Sequence, residues 1–249
     1  MKKLQKQSGD YALKSKKISV ILPTYNEKEN IVPLVREILN LPLDITVIIV
    51  DDDSPDFTGY YAQNYFKGNE RVKIFIRKEK RGRGYAGRFG YEIALKEQFD
   101  IIGEMDADFS HSPTFISGLV NSLEGADVAS GSRFLSGSKS LRQNIVRKMI
   151  TLCARFYVNL LLRINLTDPT SGFRFFNSYV LRSILPELRS TDPFIVTEVF
   201  YYVRKKGFSI KEYPIVFYER KHGKSKLKFF TLIKYLYRVL LLRMGLFYG

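Results

Sequence analysis

Ile18-Ser19-Val20-Ile21-Leu22-Pro23-Thr24-Tyr25-Asn26-Glu27 opens the foldable part of this chain, and Ile45-Thr46-Val47-Ile48-Ile49-Val50-Asp51-Asp52-Asp53-Ser54-Pro55-Asp56 repeats its design. Each is a β-branched apolar run closed by a polar cluster, and a segment of helical period, near Asn30 to Asn40, separates them. Runs that are apolar nearly throughout, rather than at alternate positions, read as strands covered on both faces, which is the habit of parallel sheets. The series continues with strands at Val72 to Ile76, Ile101 to Met105 and Asp127 to Ser130, and with helical segments near Phe57 to Phe66, Tyr85 to Gln98 and Pro113 to Leu123. The expected fold class is therefore α/β, Rossmann-like, with a mostly parallel central sheet and helices on both faces.

In such a sheet, ligands sit beyond the carboxyl ends of the strands. The polar clusters fall there: Pro23 to Glu27, Asp51 to Asp56, Lys80 to Gly84 and Asp106 to His111. Beyond Gly131 the pattern changes to a long helix (about Gln143 to Arg163), a polar turn from Thr167 to Gly172, two more helical segments, a strand near Ser209 to Phe217 and a C-terminal helix.

Composition narrows the partners. The chain has 249 residues, with 40 Lys and Arg against 25 Asp and Glu, and its net charge of +15 calls for an anionic partner: phosphate, nucleic acid or acidic lipid. Nucleic acid is disfavoured, because the acidic clusters at the strand ends would repel a phosphate backbone. The lone cysteine, Cys153, excludes an internal disulfide and is expected to be a buried structural thiol. Residues 1–17 are lysine-rich with no apolar run behind them, so they read as a basic arm and not a secretory signal, and the chain is expected on the cytoplasmic side. Arg or Lys interrupts every long apolar stretch, so no spanning helix is expected.

Asp106-Ala107-Asp108 places two carboxylates at a strand end, where both can face one divalent cation, Mg²⁺ or Mn²⁺, with nucleotide phosphates completing its shell. The same residues would also serve as a solvated loop or as a cap for the helix that follows. Asp51 to Asp56 can accept hydrogen bonds from a base edge or ribose, and equally suits a turn. Lys80-Arg81-Gly82-Arg83-Gly84 suits phosphate binding or a solvated charge run.

Taken in order, Leu22 to Glu27, Val50 to Asp56 and Asp106 to Pro113 resemble the motifs of the inverting, GT-A-fold family 2 glycosyltransferases. Gly131-Ser132-Arg133, Asp168 to Arg174 and Arg220 to Lys226 are similar to those of the polyprenol-phosphate (dolichol-phosphate) mannose synthases within that family. The resemblance implies a catalytic domain over 18–226. It assigns Pro23, Tyr25, Glu27, Val50, Asp52, Lys80, Asp106 and Ala107 to the nucleotide sugar and Asp106 and Asp108 to the metal, while Ser110 stands where the family commonly has a longer Gln ligand. Arg133, Arg147, Ser171, Arg174, Arg220 and Lys226 are the candidates for the lipid phosphate, with Arg133 and Arg220 also placed at the reacting centre.

The implied reaction is inverting transfer of a hexose, mannose from GDP-mannose, to polyprenyl or dolichyl phosphate at the cytoplasmic membrane face. A UDP-glucose-dependent polyprenyl-phosphate glucosyltransferase, another family 2 transferase, and an inactive membrane-binding module are the alternatives. A homo-oligomer or a separate transmembrane subunit are further partners to consider.

Arg147, Thr151, Arg155, Asn159 and Arg163 recur at every fourth residue and form one narrow polar stripe on the long helix. Residues 227–249 set Lys228, Thr231, Lys234 and Arg238 against a broad apolar face. Such helices suit a membrane interface, the alternative being a cover for the sheet or a dimer contact.

Overall fold

The runs that open the sequence form strands because their β-branched side chains pack well on a pleated surface whose two faces are both covered. In the computed structural model, which describes residues 16–140, 145–218 and 229–247, β1 (Ile18–Thr24) is buried at every position and β2 (Ile45–Asp51) at all but one. Alternate residues feed opposite layers. Ile18, Val20 and Leu22 join Val47 and Ile49 under α1 (Lys28–Leu39) and α4 (Ile116–Ser122), whereas Ile21, Ile48 and Val50 pack beneath α3 (Arg83–Lys96). Helix α2 (Thr58–Tyr65) links β2 to β3 (Val72–Ile76), and β4 (Ile101–Glu104) follows α3.

The main sheet has seven strands in the order β3-β2-β1-β4-β7-β5-β8, where β5 is Val128–Ser132, β7 is Arg174–Asn177 and β8 is Ile210–Pro214. All neighbours run parallel except β7, which is antiparallel to both β4 and β5. From β1 the chain builds outward to β3, then returns to lay β4 on the other side of β1. That reversal opens a crevice at the carboxyl ends of β1 and β4, where doubly wound sheets bind ligands. A second, two-stranded parallel sheet pairs β6 (Lys139–Ser140) with β9 (Val216–Phe217) beside this crevice, and Phe217 also bridges to His111.

The remaining helices are α5 (Ile145–Leu162), α6 (Ser178–Ile184), α7 (Ile195–Lys205) and α8 (Phe229–Met244). Helices α5 and α8 pack on each other and on α7: Val158, Leu162, Val239 and Leu242 are buried together, Tyr157 donates to the Leu236 carbonyl (3.2 Å), and Thr197 hydrogen-bonds Tyr235 (2.7 Å).

The two helical segments expected between Gly172 and Ser209 are α6 and α7, but a strand that was not expected, β7, precedes them, because Arg174 and the two phenylalanines after it find cross-strand partners on both sides; Glu104 lies directly opposite Arg174. The expected strand from Ser209 to Phe217 is two strands that serve different sheets. Cys153 is exposed, because it lies on the outward side of α5. Arg155 and Asn159 of the α5 polar stripe face the protein, whereas Arg163 at its end is exposed: Arg155 donates to the Thr167 carbonyl (3.2 Å), and Asn159 exchanges hydrogen bonds with Leu166 (2.7 and 3.1 Å). Outward are Leu152, Phe156 and Leu160, which are 45%, 69% and 63% exposed. Residues 1–15 of the basic arm lie outside the described residues.

Candidate active site

Three of the four polar clusters close around one another at the β1/β2 end of the crevice. Asp51, the last residue of β2, accepts from Thr24 Oγ1 (3.0 Å) and from the Ser54 amide (2.9 Å), so the acidic loop folds back on itself as an Asx-type turn. Asp52 emerges beyond it and is held by Arg77 Nε (3.0 Å) and the Gly82 amide (2.6 Å). Gly82 adopts φ +136°, and a Cβ there would lie 2.4 Å from the Thr191 carbonyl oxygen, so only glycine brings this amide to Asp52. Arg81 pairs with Asp53 (2.7 Å), and the Lys80 carbonyl accepts from Arg77 (2.9 Å), leaving the Lys80 side chain exposed. Tyr25 is 47% exposed at the mouth, Glu27 orders the start of α1 by accepting from Asn30 (2.8 Å), and Pro23 is buried at the end of β1.

At the end of β4 the acidic pair is split by environment. The Asp106 side chain is 36% exposed, 3.4 Å from Arg83 Nη2 and 4.0 Å from His111 Nδ1. Asp108 is buried and accepts from both the amide (3.0 Å) and the hydroxyl of Ser110. A Cβ on Gly172 would meet the Asp106 carboxylate at 3.3 Å, so this glycine keeps the approach to Asp106 clear. His111 is buried, stacked on Phe173 (ring centroids 5.1 Å) and set edge-on to Phe217. Burial pushes its imidazole pKa down, although the charges of Asp106 and Asp108 oppose this.

Across the crevice Arg133 is clamped by Asp168, with Nε to Oδ2 at 2.6 Å and Nη2 to Oδ1 at 2.7 Å, and it also donates to Thr170 (2.8 Å). Phe217 lies 5.1 Å from its guanidinium. Asp168 in turn is fully buried and its turn is anchored by Glu212, which accepts from the amides of Thr167 (2.8 Å) and Asp168 (2.9 Å). Such two-point clamping fixes the guanidinium plane.

Beneath the site lies a buried charge network that the sequence reading missed. Glu104 is 0% exposed and accepts from Arg83, from Arg174 Nε (2.9 Å) and from Tyr91. Burial alone would push its pKa up, but Arg83 and Arg174 outweigh that and hold it below the ordinary carboxylate range. The available signal was a charged residue inside the otherwise apolar stretch Ile101 to Met105.

Several assigned residues therefore change role. Arg174 is fully buried and committed to Glu104, Tyr91 and the Val196 carbonyl, so it cannot grip a lipid phosphate. Ser171 is buried, its hydroxyl accepting from the Phe173 amide (3.4 Å). Ser110 holds Asp108, because its short side chain turns back onto that carboxylate. The Val50 and Ala107 side chains are core residues, so neither reaches a nucleotide through its side chain. Arg147 lies on α5, in a stretch whose side chains fall outside the described set. Arg220 and Lys226 lie outside the described residues; the chain leaves them just after Tyr218, whose amide donates to the Ser110 carbonyl (3.1 Å).

A mostly parallel sheet with one reversed strand, carrying an acidic loop on β2 and a split acidic pair on β4, defines a GT-A-type glycosyltransferase fold. Comparison with known proteins agrees: residues 19–185 match the model for Glycosyl transferase family 2, and the chain belongs to that family. It is 34% identical over 212 residues to the undecaprenyl-phosphate mannosyltransferase of Micrococcus luteus, covering 85% of this chain and 87% of that one. It is also 34% identical over 211 residues to the polyprenol monophosphomannose synthase of Mycolicibacterium smegmatis, covering 84% and 80%. Among solved structures, glucosyl-3-phosphoglycerate synthase from Mycobacterium tuberculosis, in complex with Mn²⁺, uridine diphosphate and glucosyl-3-phosphoglycerate, superimposes with a TM-score of 0.70 at 19% identity, over 96% of this chain and 84% of that one.

Proposed function

We propose that this enzyme transfers mannose from GDP-mannose to a polyprenyl phosphate at a membrane surface, with inversion at the anomeric carbon. The observation that carries this reading is the 34% identity, over 85% of the chain, to an undecaprenyl-phosphate mannosyltransferase.

Exposed Tyr25 and the Asp52–Arg77–Gly82 frame offer the nucleoside a stacking surface and fixed polar edges. Asp106 and Asp108 are the residues that would hold a divalent cation, which supplies charge neutralisation at the leaving diphosphate. The fit rests on a half-open carboxylate at Asp106, a buried His111 Nδ1 with no hydrogen-bond partner beside it, and the clearance left by Gly172. A phosphate acceptor is already ionised at pH 7, so no general base is required, only counter-charge and alignment. Arg133, locked by Asp168, presents a rigid positive group at the crevice.

A lipid-borne acceptor must be met at a surface. Leu152, Phe156 and Leu160 on α5 and Ile233, Tyr237, Leu240 and Met244 on α8 are exposed on adjoining helices that pack on each other. Among the described residues no helix is long and apolar enough to cross a membrane, so the reading is of helices lying in the interface. Residues 227–249 are taken as that interfacial element and 18–226 as the catalytic domain.

The test is transfer of radiolabel from GDP-mannose or UDP-glucose to a short polyprenyl phosphate, with and without Mg²⁺ or Mn²⁺. Organic-extractable label from GDP-mannose that disappears with chelator, and in Asp106→Asn, is expected. Label from UDP-glucose alone would replace the donor, and no transfer from either would remove the reading.

A further inference from the structure

Among the described residues, His111 Nδ1 is a buried polar atom beside Asp106 that lacks a hydrogen-bond partner. Its side chain is 3% exposed, and Nδ1 stands 4.0 Å from Asp106 Oδ2, beyond hydrogen-bond reach. The ring has no room to turn away: Phe173 stacks on one face at an interplanar angle of 25°, Phe217 meets it edge-on at 5.4 Å, and the backbone is pinned by the bridge between His111 and Phe217. Leaving a buried nitrogen unsatisfied costs about 1–3 kcal/mol, so a rigid cage that maintains the loss points to a partner other than the described residues. A single ion bonded to two atoms at ~2.1 Å spans about 3 Å between adjacent ligands and about 4 Å between opposite ones.

We propose that His111 Nδ1 is a direct ligand of the divalent cation held at Asp106, so that the site is a mixed nitrogen and oxygen site. The proposal rests on the cation reading given above and deepens it. Ser110 cannot provide this ligand, because its hydroxyl is turned onto Asp108. An imidazole ligand favours first-row transition ions over Mg²⁺, which prefers an all-oxygen shell. The site should therefore bind Mn²⁺ more tightly than Mg²⁺, and His111 should be the cause.

Pulsed EPR of the full-length protein with Mn²⁺ and GDP reads the ligand directly. Nitrogen coupling to Mn²⁺ is expected in the unsubstituted protein, and it should change from the ¹⁴N to the ¹⁵N pattern when the protein is grown on [¹⁵N]histidine with unlabelled GDP. The chain has only two histidines, so the coupling should survive His222→Gln and vanish in His111→Gln. Competition binding should show the Mn²⁺-over-Mg²⁺ preference falling about tenfold in His111→Gln. Mn²⁺ bound without histidine coupling in the unsubstituted protein would overturn this assignment alone. Failure of Mn²⁺ to bind with GDP would overturn the cation reading and the ligand together. The spectrum of the unsubstituted protein decides the matter even if His111→Gln does not fold.

Discussion

Replacing Glu104 with Gln removes the fully buried negative charge that two guanidinium groups share, and the structure sets the size of the penalty. Glu104 and Arg174 are both 0% exposed, and the Arg83 side chain is 17% exposed. Taking one partner from a buried ion pair costs about 3–5 kcal/mol, because the charge left behind is neither solvated nor compensated. Two features soften the loss here: the Gln amide oxygen can still accept one hydrogen bond, and Arg83 keeps Asp106 within 3.4 Å. The lower end, about 3 kcal/mol, is therefore expected, which for a chain of this size lowers Tm by about 6–12 °C. The control is Glu97→Gln, which breaks the ion pair of Glu97 with Lys73, whose side chains are 30% and 35% exposed, and should cost under about 1 kcal/mol. Thermal unfolding followed by circular dichroism measures both. If Glu104→Gln melts within about 2 °C of Glu97→Gln, burial does not govern this cluster and the account of Arg174 as a structural residue is wrong.

Arg133→Lys keeps a charge beside Asp168 but loses the two-point clamp; kcat/KM for the polyprenyl phosphate should drop about tenfold or more while the KM for GDP-mannose stays within about twofold, and equal effects on both would remove Arg133 from the acceptor site. Phe156→Asp with Leu160→Asp replaces two side chains that are 69% and 63% exposed, so Tm should hold while binding to anionic vesicles weakens at least about tenfold. Unchanged vesicle sedimentation would place the membrane contact elsewhere. Asp127 accepts from the Ser209 amide (2.7 Å) and hydroxyl (2.6 Å), and these bonds with that of Tyr179 hold its pKa below the usual value. Its folded pKa is depressed, so this stabilisation is present at neutral pH and lost as pH falls through the folded pKa: Asp127→Asn should cost under about 1 kcal/mol at pH 7 in urea titrations, since solvent screens this partly exposed carboxylate, with the gap closing as the carboxylate protonates in acid. A constant gap across that range would contradict the assignment.

The sheet and its active edge were legible in the chain itself. Runs such as Ile18 to Leu22 and Ile45 to Val50 carry their own instruction, since near-continuous apolar stretches rich in β-branched residues need cover on both faces, and the polar clusters that end them mark the ligand side. The orientation of polar side chains was not legible, because local pattern does not say what lies opposite. Arg174 and Arg133 both follow strand-like or turn-like motifs, yet Arg174 meets Glu104 in the interior and Arg133 meets Asp168 at the rim. The stripe of Arg155 and Asn159 has the period of a solvated face, but the carbonyls of Leu166 and Thr167 claim it and turn Leu152, Phe156 and Leu160 outward. Sequence thus determined which segments become strands and helices and where carboxylates gather. Only the tertiary structure decided which charges are buried in pairs and which apolar faces stay open, because burial and pairing depend on neighbours beyond the local pattern, from 7 residues away for Asn159 and Leu166 to 70 for Glu104 and Arg174.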